Sequence, residues 1–395
     1  MKKSHIDWCP VIPDHWEEKR IKDIAFLQSG NSITAMDIAE EGKYPVYGGN
    51  GLRGYTNNYT NDGDYVLIGR QGALCGNINY AYGKFYATEH AVVVYTKNEE
   101  ITYWLGETLK AANLNRLSMT AAQPGLAVST LNIQFIPYPP RKERIRIANY
   151  LAEKCTEIDT QVSLLTSKRD AYLRLKKSII NHAVTRGLDL NAKMKDSGIE
   201  WIGEVPEHWE VKRMKDIVKL MKGRTPEDLT FEEISYPYLT MDYLRDRSGK
   251  EIIYPQKTAG LLKIDAGEII VLWDGANAGE FILSKEGYLG STMAVFLCNC
   301  KIVDKNYLYY LLKSVEKHSK YFANGTTIPH FDCLAIMNHQ YAFPPLLEQL
   351  AIATNLNGKC SKIDTIVSNL DKQISRYGDL KRSLIDEVIT GKRAV

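Results

Sequence analysis

The chain writes one phrase twice: "IPDHWEEKRIKDI" at residues 12–24 and "VPEHWEVKRMKDI" at 205–217. Nine of the thirteen positions are identical, among them Pro13/Pro206, His15/His208, Trp16/Trp209, Lys19/Lys212, Arg20/Arg213 and Asp23/Asp216. A repeat of this kind is settled before any fold is assigned, because it says how many times one structural unit is built. The offset between the copies is 193 residues, too long for a solenoid repeat, and it points to a duplicated half-molecule.

Two further echoes support the duplication. "YPPRKERIRIANYLAEKCTEIDTQVSLL" begins at Tyr138, and "FPPLLEQLAIATNLNGKCSKIDTIVSNL" begins at Phe343. Here the offset is 205, so the second copy carries a net insertion of twelve residues between the two landmarks. A weaker pair lies between them, "GDYVLIGRQGALCGNI" at 63–78 and "GEIIVLWDGANAGEFI" at 267–282. Each is a short β-branched run that leads into Gly-Ala-x-x-Gly, a buried strand with a tight turn out of it.

Residues 141–186 hold neither Gly nor Pro, with Pro139-Pro140 before them and Gly187 after, the usual marks of helix ends. Leu151, Cys155, Ile158, Val162, Leu165, Tyr172, Ile179 and Ala183 recur in steps of four and three, with Arg169 and Lys176 at intervening seam positions. In the second copy the register runs Leu356, Cys360, Ile363, Val367, Leu370, Ile374, Tyr377, Leu384 and Val388. This is heptad spacing, which predicts a coiled-coil seam; an amphipathic helix packed on its own domain gives a similar stripe. At ~1.5 Å per residue, such helices are rods about 60 Å long, and two from one chain can pair antiparallel. Gly358 and Gly378 weaken the second helix or allow a bend in it. Cys155 and Cys360 share one seam position and read as small buried apolar residues.

The predicted organisation is a mixed α/β fold in tandem duplicate. It has globular domains at 1–140 and 188–345, long helices at 141–187 and 346–395, and internal pseudo-two-fold symmetry. The globular parts are rich in Tyr, Gly, Asn and Thr. The clearest turn cluster is "YPVYGGNGLRGYTNNYTNDGD" at 44–64, and the best helix of the first domain is 101–117. Long polar and aromatic loops of this kind usually carry function.

Composition narrows the class. The chain has 395 residues, 44% apolar and 25% charged, with no apolar run near the length of a bilayer span and no apolar leader after Met1-Lys2-Lys3. Seven cysteines without a Cys-x-x-Cys pair predict reduced thiols in a cytoplasmic protein, and neither a disulfide framework nor a zinc site. The net charge of +3 hides an uneven distribution: residues 141–186 hold eleven Lys/Arg against five Asp/Glu, while residues 1–140 hold twelve against fourteen. A basic segment suits either a solvated helix face or a nucleic-acid surface.

No constellation for catalysis appears. There is no phosphate-binding Gly-x-x-x-x-Gly-Lys-Ser/Thr loop and no Gly-x-Gly-x-x-Gly. "YPPR" and "FPPL" lack the Asp/Asn and the aromatic residue of an adenine-amino methyltransferase motif, and they stand where Pro opens a helix. His15 and His208 have no catalytic or metal-like neighbours in sequence and read as structural.

The duplicated "DWCPVIPDHWEEKRIKDI" and "SGIEWIGEVPEHWEVKRMKDI", the "PPxxEx" helix starts and the two-part layout resemble the specificity subunit of type I restriction–modification systems. The resemblance covers nearly the whole chain. "PPLLEQLAIA" is close to the family pattern, while "PPRKERIRIA" has Arg where Gln is usual. It implies two target recognition domains, each reading one half of a split, asymmetric DNA site, and an antiparallel coiled coil that fixes the spacer. It implies no catalysis and no cofactor in this chain. Two methyltransferase subunits would bring S-adenosylmethionine and methylate adenine N6, and restriction/translocase subunits would bring ATP and Mg chemistry. No membrane partner is implied. The alternative is a coiled-coil interaction scaffold without DNA readout.

Side-chain chemistry then selects candidates for base reading. Arg suits guanine, Asn and Gln suit adenine, and Asp accepts from cytosine. For the first half-site these are Arg53, Tyr55, Asn57, Asn58 and Tyr59, taken as one loop, with Arg70, Gln71 and Gln123. For the second they are Arg224, Thr225, Arg245, Asp274, Asn277, Thr326, Thr327 and His330.

Overall fold

The computed structural model describes residues 1–72, 74–97, 101–118, 125–200, 202–246, 251–275, 277–321 (side chains to 316) and 331–395. The chain divides into two compact units. Unit 1 is Met1–Thr166 with Asp371–Val395, and unit 2 is Ser167–Leu370. Both boundaries fall inside the long helices, Arg141–Arg186 of 46 residues and Leu346–Ile389 of 44 residues, so each unit owns a section of both. The second helix runs unbroken through Gly358 and Gly378.

Each unit is built on the same antiparallel sheet of four strands. In unit 1 the order is Ala25–Ser29, Ala91–Thr96, Tyr65–Gly69, Ile78–Ala81. In unit 2 it is Val218–Lys222, Met293–Cys298, Ile269–Leu272, Phe281–Leu283. The central strands read as unbroken apolar runs because both of their faces are covered. Val66 and Ile68 face one core while Leu67 faces another; Val92 and Val94 divide from Val93 in the same way. In unit 2, Ile269 and Val271 enter the core shared with the helices, and Ile270 and Leu272 enter a second.

That second core lies under a second sheet, of four strands in unit 1 and three in unit 2. In unit 1, Tyr44–Gly48 pairs with Gly51–Thr56 antiparallel and with Lys84–Ala87 parallel. In unit 2, Tyr238–Leu239 pairs parallel with Gly287–Leu289. The strand in the middle of each repeated phrase is held by the strand before the helix of the same copy: Glu17–Arg20 by Phe135–Tyr138, and Glu210–Arg213 by Gln340–Phe343.

The helix sections close each unit as antiparallel pairs. In unit 1, Ile147, Leu151, Cys155 and Ile158 are buried in one core with Leu384, Ile385 and Val388. In unit 2, Ile180, Ala183 and Val184 are buried with Ile352, Leu356 and Cys360. One ion pair repeats beside each seam: Lys381 Nζ lies 2.7 Å from Asp159 in unit 1, and Lys176 Nζ lies 2.6 Å from Asp364 in unit 2. Each helix ends on a left-handed glycine, Gly187 (φ 74°) and Gly391 (φ 71°). A Cβ on Gly187 would lie 3.4 Å from Trp209, and one on Gly391 would lie 3.1 Å from Trp16 and 2.4 Å from Pro13. No helix of the described residues is long and apolar enough to cross a membrane.

Candidate nucleic-acid interface

The repeated phrase is a packing device. Trp16 and Trp209 are each 1% exposed. His15 Nε2 lies 2.9 Å from Glu143 Oε2, and His208 Nε2 lies 2.7 Å from Glu348 Oε2, so each phrase grips the first turn of the helix that follows it. Trp209 Nε1 also donates to Glu348 Oε1 at 3.1 Å. The Arg-for-Gln difference is absorbed locally. Gln349 donates to the Pro344 carbonyl at 2.9 Å, and Arg144, also buried, donates to the Pro139 carbonyl at 2.7 Å. The Arg144 guanidinium lies 4.0 Å from the Tyr138 ring centre and 5.2 Å from that of Trp104, a cation held on aromatic faces.

The seam cysteines are buried, and burial pushes both thiols above their ordinary range, opposed by Lys381 beside Cys155 and by Lys176 beside Cys360. Among the described residues no group of His, Cys, Asp and Glu could hold a metal ion.

The residues chosen for base reading fall in several places. Arg53 and Tyr55 do not belong to one loop with Asn57, Asn58 and Tyr59. They lie on the strand Gly51–Thr56, and the other three follow it. The cause is the pairing with Tyr44–Gly48, which turns a glycine-rich stretch into a strand. Tyr55, Asn57 and Asn58 line a groove of about 640 Å³ with Ser32, Thr34, Asp37, Glu41 and Tyr86. Arg53 is exposed elsewhere, its side chain lying over Gly48. Tyr59 packs edge-on against Tyr44 at 5.1 Å and beneath Lys84 at 4.8 Å. Arg70 is half-buried and donates to Ser29 Oγ at 3.2 Å, and Gln71 is exposed beside it. Gln123 lies outside the described residues.

In unit 2, Arg224 and Thr225 are exposed just beyond Val218–Lys222, with Thr225 Oγ1 2.8 Å from Ser291 Oγ. Asp274 sits 3.6 Å from Lys222 Nζ. Asn277 is exposed in a turn closed by Ala278 N to Gly275 O at 2.9 Å. The same turn occurs in unit 1, closed by Cys75 N to Gly72 O at 2.9 Å. Arg245 Nη2 pairs with Glu280 Oε2. Thr326, Thr327 and His330 lie outside the described residues.

Sequence reading missed Asp37, Glu41 and Tyr86 in the unit 1 groove, and Gln256 and Lys257 at the matching place in unit 2. The signal was present: "AEEGKYPVY" at 39–47 and "FEEISYPYL" at 231–239 keep Glu-Glu and Tyr-Pro at one spacing. The structure bridges Ala39, which opens the first stretch, to Tyr55, and pairs Thr230, one residue before the second stretch, with Tyr254.

The family model "Type I restriction modification DNA specificity domain" matches twice, at residues 13–163 and 206–375. The chain is 38% identical over 188 residues to the type I restriction enzyme MjaVIII specificity subunit of Methanocaldococcus jannaschii, covering 47% of this chain and 43% of that protein. It is 41% identical over 168 residues to the type I restriction enzyme EcoprrI specificity subunit of Escherichia coli, covering 42% of each. The matched region thus spans less than half the length of these two relatives. A solved chain from work on complex assembly and conformational transition of the type I R-M system superposes with a TM-score of 0.71 at 14% identity, covering 97% of this chain and 100% of that one. That likeness establishes the fold. With two matched regions that take in most of its length and one sheet built twice, the chain belongs to the type I restriction–modification DNA specificity domain family.

Proposed function

We propose that this chain is the non-catalytic specificity subunit of a type I restriction–modification complex in the cytoplasm. Residues 1–140 and 188–345 would act as target recognition domains, each reading one half of a bipartite, asymmetric site on double-stranded DNA. The long helices would fix the spacer and dock two methyltransferase subunits. Those partners would carry S-adenosylmethionine, and restriction/translocase subunits would carry ATP and Mg.

One observation carries the reading. Two units share a core sheet, an opening phrase and a helix seam, and differ in the polar residues they expose. Shared cores give two equivalent frames, and differing exposed side chains give two different readouts. The excess of Lys and Arg in residues 141–186 suits DNA phosphates or an acidic protein face.

The test is selection from a random duplex pool, with and without the methyltransferase subunit. A split enriched sequence, with two unlike halves and a fixed gap, is expected. If neither condition enriches any sequence, recognition is wrong and the chain is a scaffold of paired helices.

A further inference from the structure

Each unit sets a two-residue polar pair two residues on from the crossing tyrosine, Tyr55 in unit 1 and Tyr254 in unit 2. In unit 1, Ala39 and Tyr55 exchange backbone hydrogen bonds of 2.9 Å in both directions, and Asn57-Asn58 follow. In unit 2, Thr230 pairs with Tyr254, and Gln256-Lys257 follow. All four residues of the two pairs are exposed. A feature common to both units cannot distinguish two half-sites. A feature at matching places with different chemistry can, and these pairs differ: two amides against an amide and a cation.

Their surroundings set what each pair accepts. The unit 1 pair opens on the groove that holds Asp37 and Glu41, and no Lys or Arg lines it. Two carboxylates without a cation repel phosphate. They accept from the exocyclic amines of cytosine and adenine, and an Asn amide pairs bidentately with adenine. Asp37 already accepts from Thr34 Oγ1 at 2.6 Å, which leaves Glu41 the less committed acceptor. In unit 2, Lys257 lies 3.0 Å from Glu227, and both are well exposed. An exposed lysine donates to guanine O6 and N7.

We propose that Asn57-Asn58 with Glu41, and Gln256-Lys257, are paired specificity positions. The first would read an amine-bearing base edge, adenine or cytosine, and the second would read a guanine-containing step. This rests on the recognition reading above and assigns its chemistry.

The experiment is duplex selection with the full chain and the methyltransferase subunit. It compares wild type, N57Q/N58K, E41Q and Q256N/K257N, each first checked for an unchanged melting curve. N57Q/N58K should change the enriched bases in one half-site only and weaken binding to the wild-type duplex about 5- to 100-fold. E41Q should relax the amine preference in that same half-site, and Q256N/K257N should act on the other. An unchanged enriched sequence overturns the assignment. So does a uniform loss of affinity at constant sequence, because that marks phosphate contact. If wild type enriches nothing, the recognition reading itself fails and this assignment falls with it; a variant failure in a chain that does select overturns the assignment alone.

Discussion

The imidazole of His15 meets the carboxylate of Glu143 at 2.9 Å, and 128 residues separate them in sequence. Two motifs that looked independent, the His-Trp phrase and the Pro-Pro helix start, are two sides of one joint. Unit 2 repeats it with His208 and Glu348. The copies are unequal, because Glu348 also accepts from Trp209 Nε1 while Trp16 Nε1 has no partner among the described residues. Glu348→Ala is therefore expected to destabilise by about 1–2 kcal/mol more than Glu143→Ala, since it leaves a buried donor unmade. Urea unfolding measures both, and equal losses would refute the asymmetry.

The tryptophans anchor the joint from inside. Trp16→Ala and Trp209→Ala should each remove about 3–5 kcal/mol by opening a cavity. Trp16→Phe and Trp209→Phe should lose less. Chemical denaturation of the four variants checks the order, and alanine variants as stable as wild type would mean that the rings are dispensable.

The repeated ion pairs beside the helix seam contribute little to stability. Lys176–Asp364 and Lys381–Asp159 are solvent-accessible, and such pairs are worth about 0.2–1 kcal/mol. A double-mutant cycle on Lys176 and Asp364 should return a coupling in that range, falling as salt is raised. A coupling of several kcal/mol would show that the pair is shielded from water.

Cys9 is fully buried, and burial pushes its thiol up to about 11 from the ordinary 9.0, with Lys392 acting against the rise. The folded state therefore holds the proton where the unfolded chain releases it. The contribution is intact below pH 9, shrinks as pH climbs toward about 11, and is gone above that value. Wild type should lose melting temperature across this window faster than Cys9→Ala. Parallel profiles would dismiss the thiol as a contributor. In the native chain near neutral pH, exposed Cys300 should alkylate before buried Cys9, Cys155 and Cys360.

Arg245 was chosen as a base reader, yet Glu280 holds its guanidinium. Arg245→Ala is expected to lower stability slightly and to leave the selected DNA sequence unchanged. A new base preference at one position would make Arg245 a reader.

The parts legible in the sequence were those with a strong local period. The heptad stripe gave both long helices, because a helix seam is a short-range pattern. The apolar runs inside "GDYVLIG" and "GEIIVLW" marked core strands, because strands covered on both faces read as apolar runs. What escaped was set by distant neighbours. Gly51 and Gly54 read as turn residues, yet they lie in a strand. Gly54 has φ 150°, and a Cβ there would stand 2.6 Å from the Ala39 carbonyl. The glycine is required by a chain that crosses over it, and no local pattern announces that crossing. The groove of Asp37, Glu41 and Tyr86 was missed for the same reason: its walls come from three separate stretches.

The division of the helices has a consequence for synthesis. Unit 1 needs Asp371–Val395, including Leu384, Ile385 and Val388 in its core, while every residue of unit 2 lies before position 371. On the ribosome, the half that is translated first is completed last. Until residues 371–395 emerge, unit 1 lacks Leu384, Ile385 and Val388, and the core around Ile147, Leu151 and Ile158 is incomplete. A premature stop near codon 371 would spare unit 2 and leave unit 1 unfinished.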